Sequence, residues 1–199
     1  MKKIAAIFLV IILSFAFLVS CGSSPAPSNE EAADIFENST NVLVDYFVGE
    51  PYWVAENDIE DLEIYEDETV EFGEWMVYYK TNYTYEQAVD KYSEYFAGQL
   101  LDDFMSVYFY NDDGTLCVKA YGGASGFQVD DAVVTLVSQD GDIYNYEVTF
   151  SFLYYGTDDN GNDFVDIVQG EGTFSLQKTS DGYSLSDTDV CYPVDYQAE

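Results

Sequence analysis

The sequence predicts an α+β domain whose helices come first and pack on one curved antiparallel sheet. Three observations predict it. Two segments with helical apolar spacing and clear N-cap signals lie before position 106. Segments that alternate apolar and polar residues follow, joined in pairs by short turns rich in Asp, Asn and Gly. Aromatic residues make up 18% of the chain, so a core can form in spite of heavy charge. Helices followed by a run of hairpins place helices on one side of an antiparallel sheet.

The chain opens with Lys2 and Lys3, then an uncharged apolar run over 4–19. Leu18-Val19-Ser20-Cys21 reads apolar, small, small, cysteine. This is the layout of a secretory leader ending in a lipobox, where small residues enter the peptidase pocket and the Cys21 thiol takes a diacylglycerol. The run is shorter than the roughly 20 residues of a spanning helix. The expectation is a signal peptide over 1–20 and a lipid attachment at Cys21. Several acyl chains together, palmitate among them, hold such a protein firmly on a membrane, facing the extracellular or periplasmic side. Residues 21–28 carry Gly, Ser and Pro and read as a flexible tether. A single α+β domain is expected over 29–196.

The first helix is expected over 29–48. Ser28 with Glu31 makes a capping box, and Glu30, Glu31 and Asp34 sit near the positive end of the helix dipole. Ile35, Phe36, Leu43, Tyr46 and Phe47 recur at helical spacing. Gly49 and Pro51 read as a stop. Within 51–73 the stretch 57–68 is densely acidic and reads as an exposed loop with at most a short strand. Trp75, Val77 and Tyr79 share one face of a strand over 74–80. Thr84 and Gln87 form a capping box for a second helix, whose stripe is Ala88, Val89, Tyr92, Tyr95 and Phe96. Gly98 breaks it, and a short helix is expected over 99–105. Hairpins follow: 107–110 with 115–120 across Asn111-Asp112-Asp113-Gly114, then 132–139 with 142–155, then 164–178 with 183–190.

The charge is extreme. The chain has 38 acidic and 6 basic residues, a net of −32. Losing Lys2 and Lys3 with the leader takes the net to −34 and leaves Lys80, Lys91, Lys119 and Lys178. Such a surface repels nucleic acid and anionic headgroups and attracts cationic partners; as a plain solubility feature it would look the same.

The residues that are missing restrict the chemistry. Without histidine there is no Ser-His-Asp or Cys-His catalysis and no histidine metal site. Without arginine the bidentate clamp on phosphate or carboxylate is lost. Paired carboxylates are the remaining catalytic option, but among 38 acidic residues some pair always looks suitable. Residues 158–163 look like part of a calcium loop, yet Gly156 and Ile167 occupy positions where the EF-hand needs Asp and Glu. No catalytic, cofactor-binding or metal residue is assigned, and the expectation is a protein that is not an enzyme. Cys117 and Cys191 are an even pair in an oxidising-compatible compartment. Bridged, they close a loop of about 75 residues, worth roughly 4 kcal/mol; unbridged, they are two buried thiols. Ten tyrosines, Tyr78, Tyr79, Tyr83, Tyr85, Tyr108, Tyr110, Tyr144, Tyr146, Tyr154 and Tyr155, lie in or beside expected strands. They suit a recognition cleft or an ordinary half-buried sheet.

The order of the pieces carries a resemblance. Tyr79-Lys80-Thr81-Asn82-Tyr83-Thr84-Tyr85-Glu86-Gln87-Ala88-Val89 is followed by Tyr95-Phe96, a short helix, the turn Asn111-Asp112-Asp113-Gly114-Thr115-Leu116, and a final hairpin from Phe174 through Asp181-Gly182-Tyr183. This resembles the IseA-type inhibitors of cell-wall DL-endopeptidases and, more broadly, secreted domains of NTF2-like or cystatin-like shape. The similarity spans about residues 29–189, as pattern. It implies a non-enzymatic envelope protein that blocks a cationic hydrolase of the NlpC/P60 cysteine-peptidase kind. A small-ligand-binding NTF2-like module and an inert structural surface lipoprotein are the alternatives.

Overall fold

The computed structural model describes residues 25–49, 51–72, 76–120, 126–157, 161 and 163–190. Among these, four helices and eight strands form an α+β architecture. In chain order they are α1 (Asn29–Val48), α2 (Pro51–Asp58), β1 (Ile64–Phe72), β2 (Met76–Thr84), α3 (Tyr85–Tyr92), α4 (Gly98–Tyr108), β3 (Phe109–Asp112), β4 (Thr115–Lys119), β5 (Gly126–Asp140), β6 (Ile143–Thr157), β7 (Asp163–Lys178) and β8 (Tyr183–Thr188).

The expected single curved sheet is two sheets. The first has the antiparallel order β1-β2-β4-β3 and the second β5-β6-β7-β8. The reason lies in the helices, which carry apolar residues toward both sides and need cover on both. Phe36 of α1 meets Phe150 and Phe174 of the second sheet at 5.6 and 4.7 Å between ring centres. Ten residues on, Tyr46 meets Phe104 of α4 and Phe109 of β3 at 5.1 and 5.5 Å. Each such ring, buried completely, adds about 2–3 kcal/mol. Tyr92, Phe96 and Phe104 continue the packed rings through the helical layer.

Residues 51–73, expected as mostly loop, hold a helix and a long strand. Pro51 is the first residue of α2, where its missing N–H costs nothing. β1 is an edge strand loaded with Glu66, Asp67, Glu68 and Glu71, charges that discourage pairing with another chain. α1 begins on Ser28, whose Oγ accepts from Glu31 N at 3.1 Å. α4 runs to Tyr108, three residues past the expected end.

Both edges of the second sheet are covered at chosen points. Tyr95–Ala97 lies beside β8: Ala97 N donates to Leu185 O at 2.8 Å, and Leu185 N donates to Tyr95 O at 2.9 Å. On the other edge β5 bulges between Asp130 and Val133, with Asp131 at φ 53°. There α1 supplies side chains in place of a strand. Asn41 bonds both ways to the backbone of Val129, and Glu37 Oε1 accepts from Ala132 N. Pro25 to Ser28, the end of the expected tether, also touch the sheet. The hydroxyls of Tyr183 and Tyr146 donate to the carbonyls of Pro25 and Pro27.

Candidate functional site

α3 organises an acidic cleft system. Its start is fixed by a complete capping box: Thr84 Oγ1 accepts from Gln87 N at 3.2 Å, and Thr84 N donates to Gln87 Oε1 at 2.9 Å. Helical spacing then sends Ala88 and Tyr92 into the core. Asp90 and Glu94, beyond the last turn, are left on the exposed side, and Lys91 is half-buried between them. Two open clefts flank this side and share Asp90 and Glu94. One, of about 450 Å³, lies against Phe96, Ala97, Leu101 and the 179–184 turn, with Asp181 on its rim. The other, of about 550 Å³, reaches the end of α2, where Asp58 and Glu60 face Tyr83, Gln87 and Lys91.

The groove's charge is set by few cations. Lys91 Nζ donates to Glu94 Oε2 at 3.2 Å and stands 5.4 Å from the centre of the Tyr95 ring. Burial pulls the Lys91 ammonium down, but Glu94, Tyr95 and Asp58 outweigh it, so it holds its proton more tightly than an ordinary lysine. Asp58 is pushed up to about 6, chiefly by burial and then by the nearby Asp45, with Lys91 opposing. It also ends α2, where the helix dipole is unfavourable to a negative charge. Burial raises Asp45 as well. Behind these groups the hydroxyls of Tyr46 and Tyr92 share a buried hydrogen bond, and burial pushes both well above the ordinary phenol range. The groove therefore gathers Asp58, Glu60, Asp90, Glu94 and Asp181 around one lysine and an apolar floor, with Asp58 giving up its proton only as pH rises through about 6. That arrangement is complementary in charge to cationic groups such as lysine or arginine side chains.

Of the cysteines read from the sequence, only Cys117 falls among the described residues. Cys117 is a free, buried thiol on β4. Its cross-strand neighbours are Lys80 and Tyr110, on the face turned away from Leu116 and Val118, which join the core. Above it Lys80 Nζ meets Asp112 Oδ2 at 2.7 Å. Burial, then Asp112, pushes the Cys117 thiol up. Cys191 and the lipid-bearing Cys21 lie outside the described residues, as does most of 158–163. Of the ten tyrosines, Tyr85 begins α3 and Tyr108 ends α4, and the rest are divided between the two sheets: Tyr78, Tyr144 and Tyr146 are buried, and Tyr155 is exposed. The half-buried-sheet reading accounts for most of them. Among the described residues no group of three or more acidic or cysteine side chains is placed to hold a metal ion, and no helix is long and apolar enough to cross a membrane.

The groove itself was missed by sequence reasoning. Asp58 and Glu60, Asp90 and Glu94, and Asp181 come from three distant segments, and 38 acidic residues give none of them a local signal. No family model matches the chain, and no curated protein is similar to it in sequence.

Proposed function

We propose that the chain is a lipid-anchored, non-catalytic binding protein of the bacterial cell envelope that docks a cationic cell-wall hydrolase in the groove along α3. The observation that carries the reading is that groove, in which Asp58, Glu60, Asp90, Glu94 and Asp181 surround Lys91. The mature net charge of −34 would steer a basic partner toward it. The interior is filled by packed rings, such as Phe96 on Phe104 at 4.8 Å and Tyr146 on Phe174 at 5.1 Å. A filled interior favours surface recognition over a ligand-holding cone. The partner class comes from the resemblance to IseA-type inhibitors: a DL-endopeptidase of the NlpC/P60 kind. The helical layer lying across the second sheet supports a cystatin-like or NTF2-like shape. The lipobox at Cys21 supports anchoring to the membrane, on its extracellular or periplasmic side.

The test is inhibition of a purified NlpC/P60 endopeptidase acting on peptidoglycan, with the full chain in neutral nanodiscs. Inhibition should be strong at low salt and fade as ionic strength rises. Asp90→Asn, Glu94→Gln and Asp181→Asn together should weaken it about tenfold or more, since close interfacial charge pairs carry energies above a kcal/mol. Release of stem peptides by the chain itself, or inhibition indifferent to these changes, would overturn the reading.

A further inference from the structure

Among the described residues, no helix covers one face of the second sheet. α1 lies on the opposite side, where Phe36 meets Phe150 and Phe174. Strand alternation and the pairing register give the free face its rows. Tyr155 pairs with Val165, Leu153 with Ile167, Ser151 with Gln169, Thr149 with Glu171, and Glu147 with Thr173; on β5, Val133 pairs with Thr149. At one end the face is apolar and open: Ile167 is 65% exposed, Val165 53% and Tyr155 46%. The polar groups beside that end are paired sideways, Tyr155 Oη donating to Gln128 Oε1 at 3.2 Å and Gln169 Nε2 to Ser151 Oγ at 2.9 Å. At the other end Glu147 and Glu171 rim a hollow of about 500 Å³ with threonines and Val133, itself 68% exposed. Exposed apolar patches rimmed by polar residues mark interaction surfaces.

We propose that this face docks an amphipathic basic segment of a partner polypeptide. Its apolar side chains sit on Leu153, Tyr155, Val165 and Ile167, and its lysines or arginines sit on Glu147 and Glu171. Charge and size choose that occupant. Five rows at two residues each span roughly 27 Å, and three strands span roughly 15 Å with their side chains, an area on the order of 400 Å². A standard interface takes about 800 Å² from each partner, so a second copy finds too little surface here. It would also set Glu147 and Glu171 against their own copies. An anionic bilayer surface meets the same repulsion. An extended segment of about nine residues matches the length. The face shares no residue with the α3 groove, and the inference stands independently of the inhibitor reading.

The test uses the full chain in zwitterionic nanodiscs and a fluorescein-labelled peptide, Val-Thr-Val-Thr-Val-Thr-Lys-Thr-Lys-Thr. As a strand it presents three valines and two lysines on one side. Anisotropy at low salt should show saturable binding. Ile167→Lys should weaken it at least tenfold, and Glu147→Gln with Glu171→Gln should weaken it several-fold and flatten its salt dependence. All these side chains reach solvent, and a melting curve checks that each variant folds. On the unaltered chain, carboxyl footprinting should show Glu147 and Glu171 protected by the peptide. Binding untouched by these substitutions, absence of that protection, or no saturation would overturn the proposal. Loss of binding in Asp90→Asn with Asp181→Asn, while Ile167→Lys leaves it intact, would move the peptide to the groove and overturn it too. Failure to inhibit a peptidase would sink the inhibitor reading and leave this result standing.

Discussion

The side-chain amide of Asn41 stands in for a neighbouring strand at Val129. Its Nδ2 donates to the Val129 carbonyl at 3.0 Å, and its Oδ1 accepts from the Val129 N–H at 2.7 Å. Val129 is buried, so neither backbone group has water to fall back on. Asn41→Leu should cost about 2–3 kcal/mol, the penalty of orphaning buried polar groups. Asn41→Asp keeps the acceptor and should cost less. Urea unfolding of both variants decides it; equal losses would mean that the two bonds do not matter separately.

Gly170 faces Phe150 across β6 and β7. A Cβ there would lie 2.5 Å from Cζ of Phe150. That ring is buried and held against Phe36 and Phe152, at 5.6 and 4.8 Å, so it has nowhere to go. Gly170→Ala should destabilise the protein by about 2 kcal/mol, as overpacking does, although alanine ordinarily suits a strand better than glycine. A rise in melting temperature would show that the ring yields.

Asp58 should make stability fall as pH rises through a defined window. Its carboxyl is pushed up to about 6 in the folded chain and titrates near 4 when unfolded. Between those values the folded state holds the proton and the unfolded state does not. Stability from this group is therefore full below pH 4, declines up to pH 6 and is flat above. Asp58→Asn should add about 1–2 kcal/mol at pH 7, after discounting for its partial exposure to solvent, and nothing at pH 3.5. The measurement is denaturant unfolding of both forms across pH 3.5–7.5.

Cys117 should be inert in the folded protein. The thiolate is the reactive form, and burial with Asp112 nearby suppresses it. Maleimide should leave Cys117 unlabelled for hours in buffer and label it in minutes in guanidinium, as peptide mapping would show. No labelling on unfolding without a reductant would mean that Cys117 is bridged.

The starts of α1 and α3 were legible because their signals are local. Ser28 and Thr84 cap α1 and α3 with side chains one turn away. The turns were legible for the same reason: Asp113 and Gly114 take φ of 53° and 92°, the left-handed pair that such hairpins require. β1 was hidden because its solvent side is almost wholly acidic and masks the alternation. The split into two sheets was hidden because β2 finds its partner in β4, with Lys80 opposite Cys117, across two intervening helices. No local pattern encodes that pairing. The α3 groove was hidden for a related reason, as its carboxylates converge only after Asp58 and Asp181 are folded to either side of Asp90.

The two hydroxyls that hold Pro25 and Pro27 set how far the domain can stray from its anchor. From Cys21 to Pro25 the chain advances four residues, at most roughly 14 Å when fully extended. A domain of this size has a radius of gyration of about 15 Å. With Cys21 acylated as proposed, the leash is shorter than the body it holds, so the molecule cannot turn over on the membrane. The end bearing Tyr183 stays at the headgroups, and any partner is met in a fixed orientation within a few nanometres of the bilayer, never out in the wall.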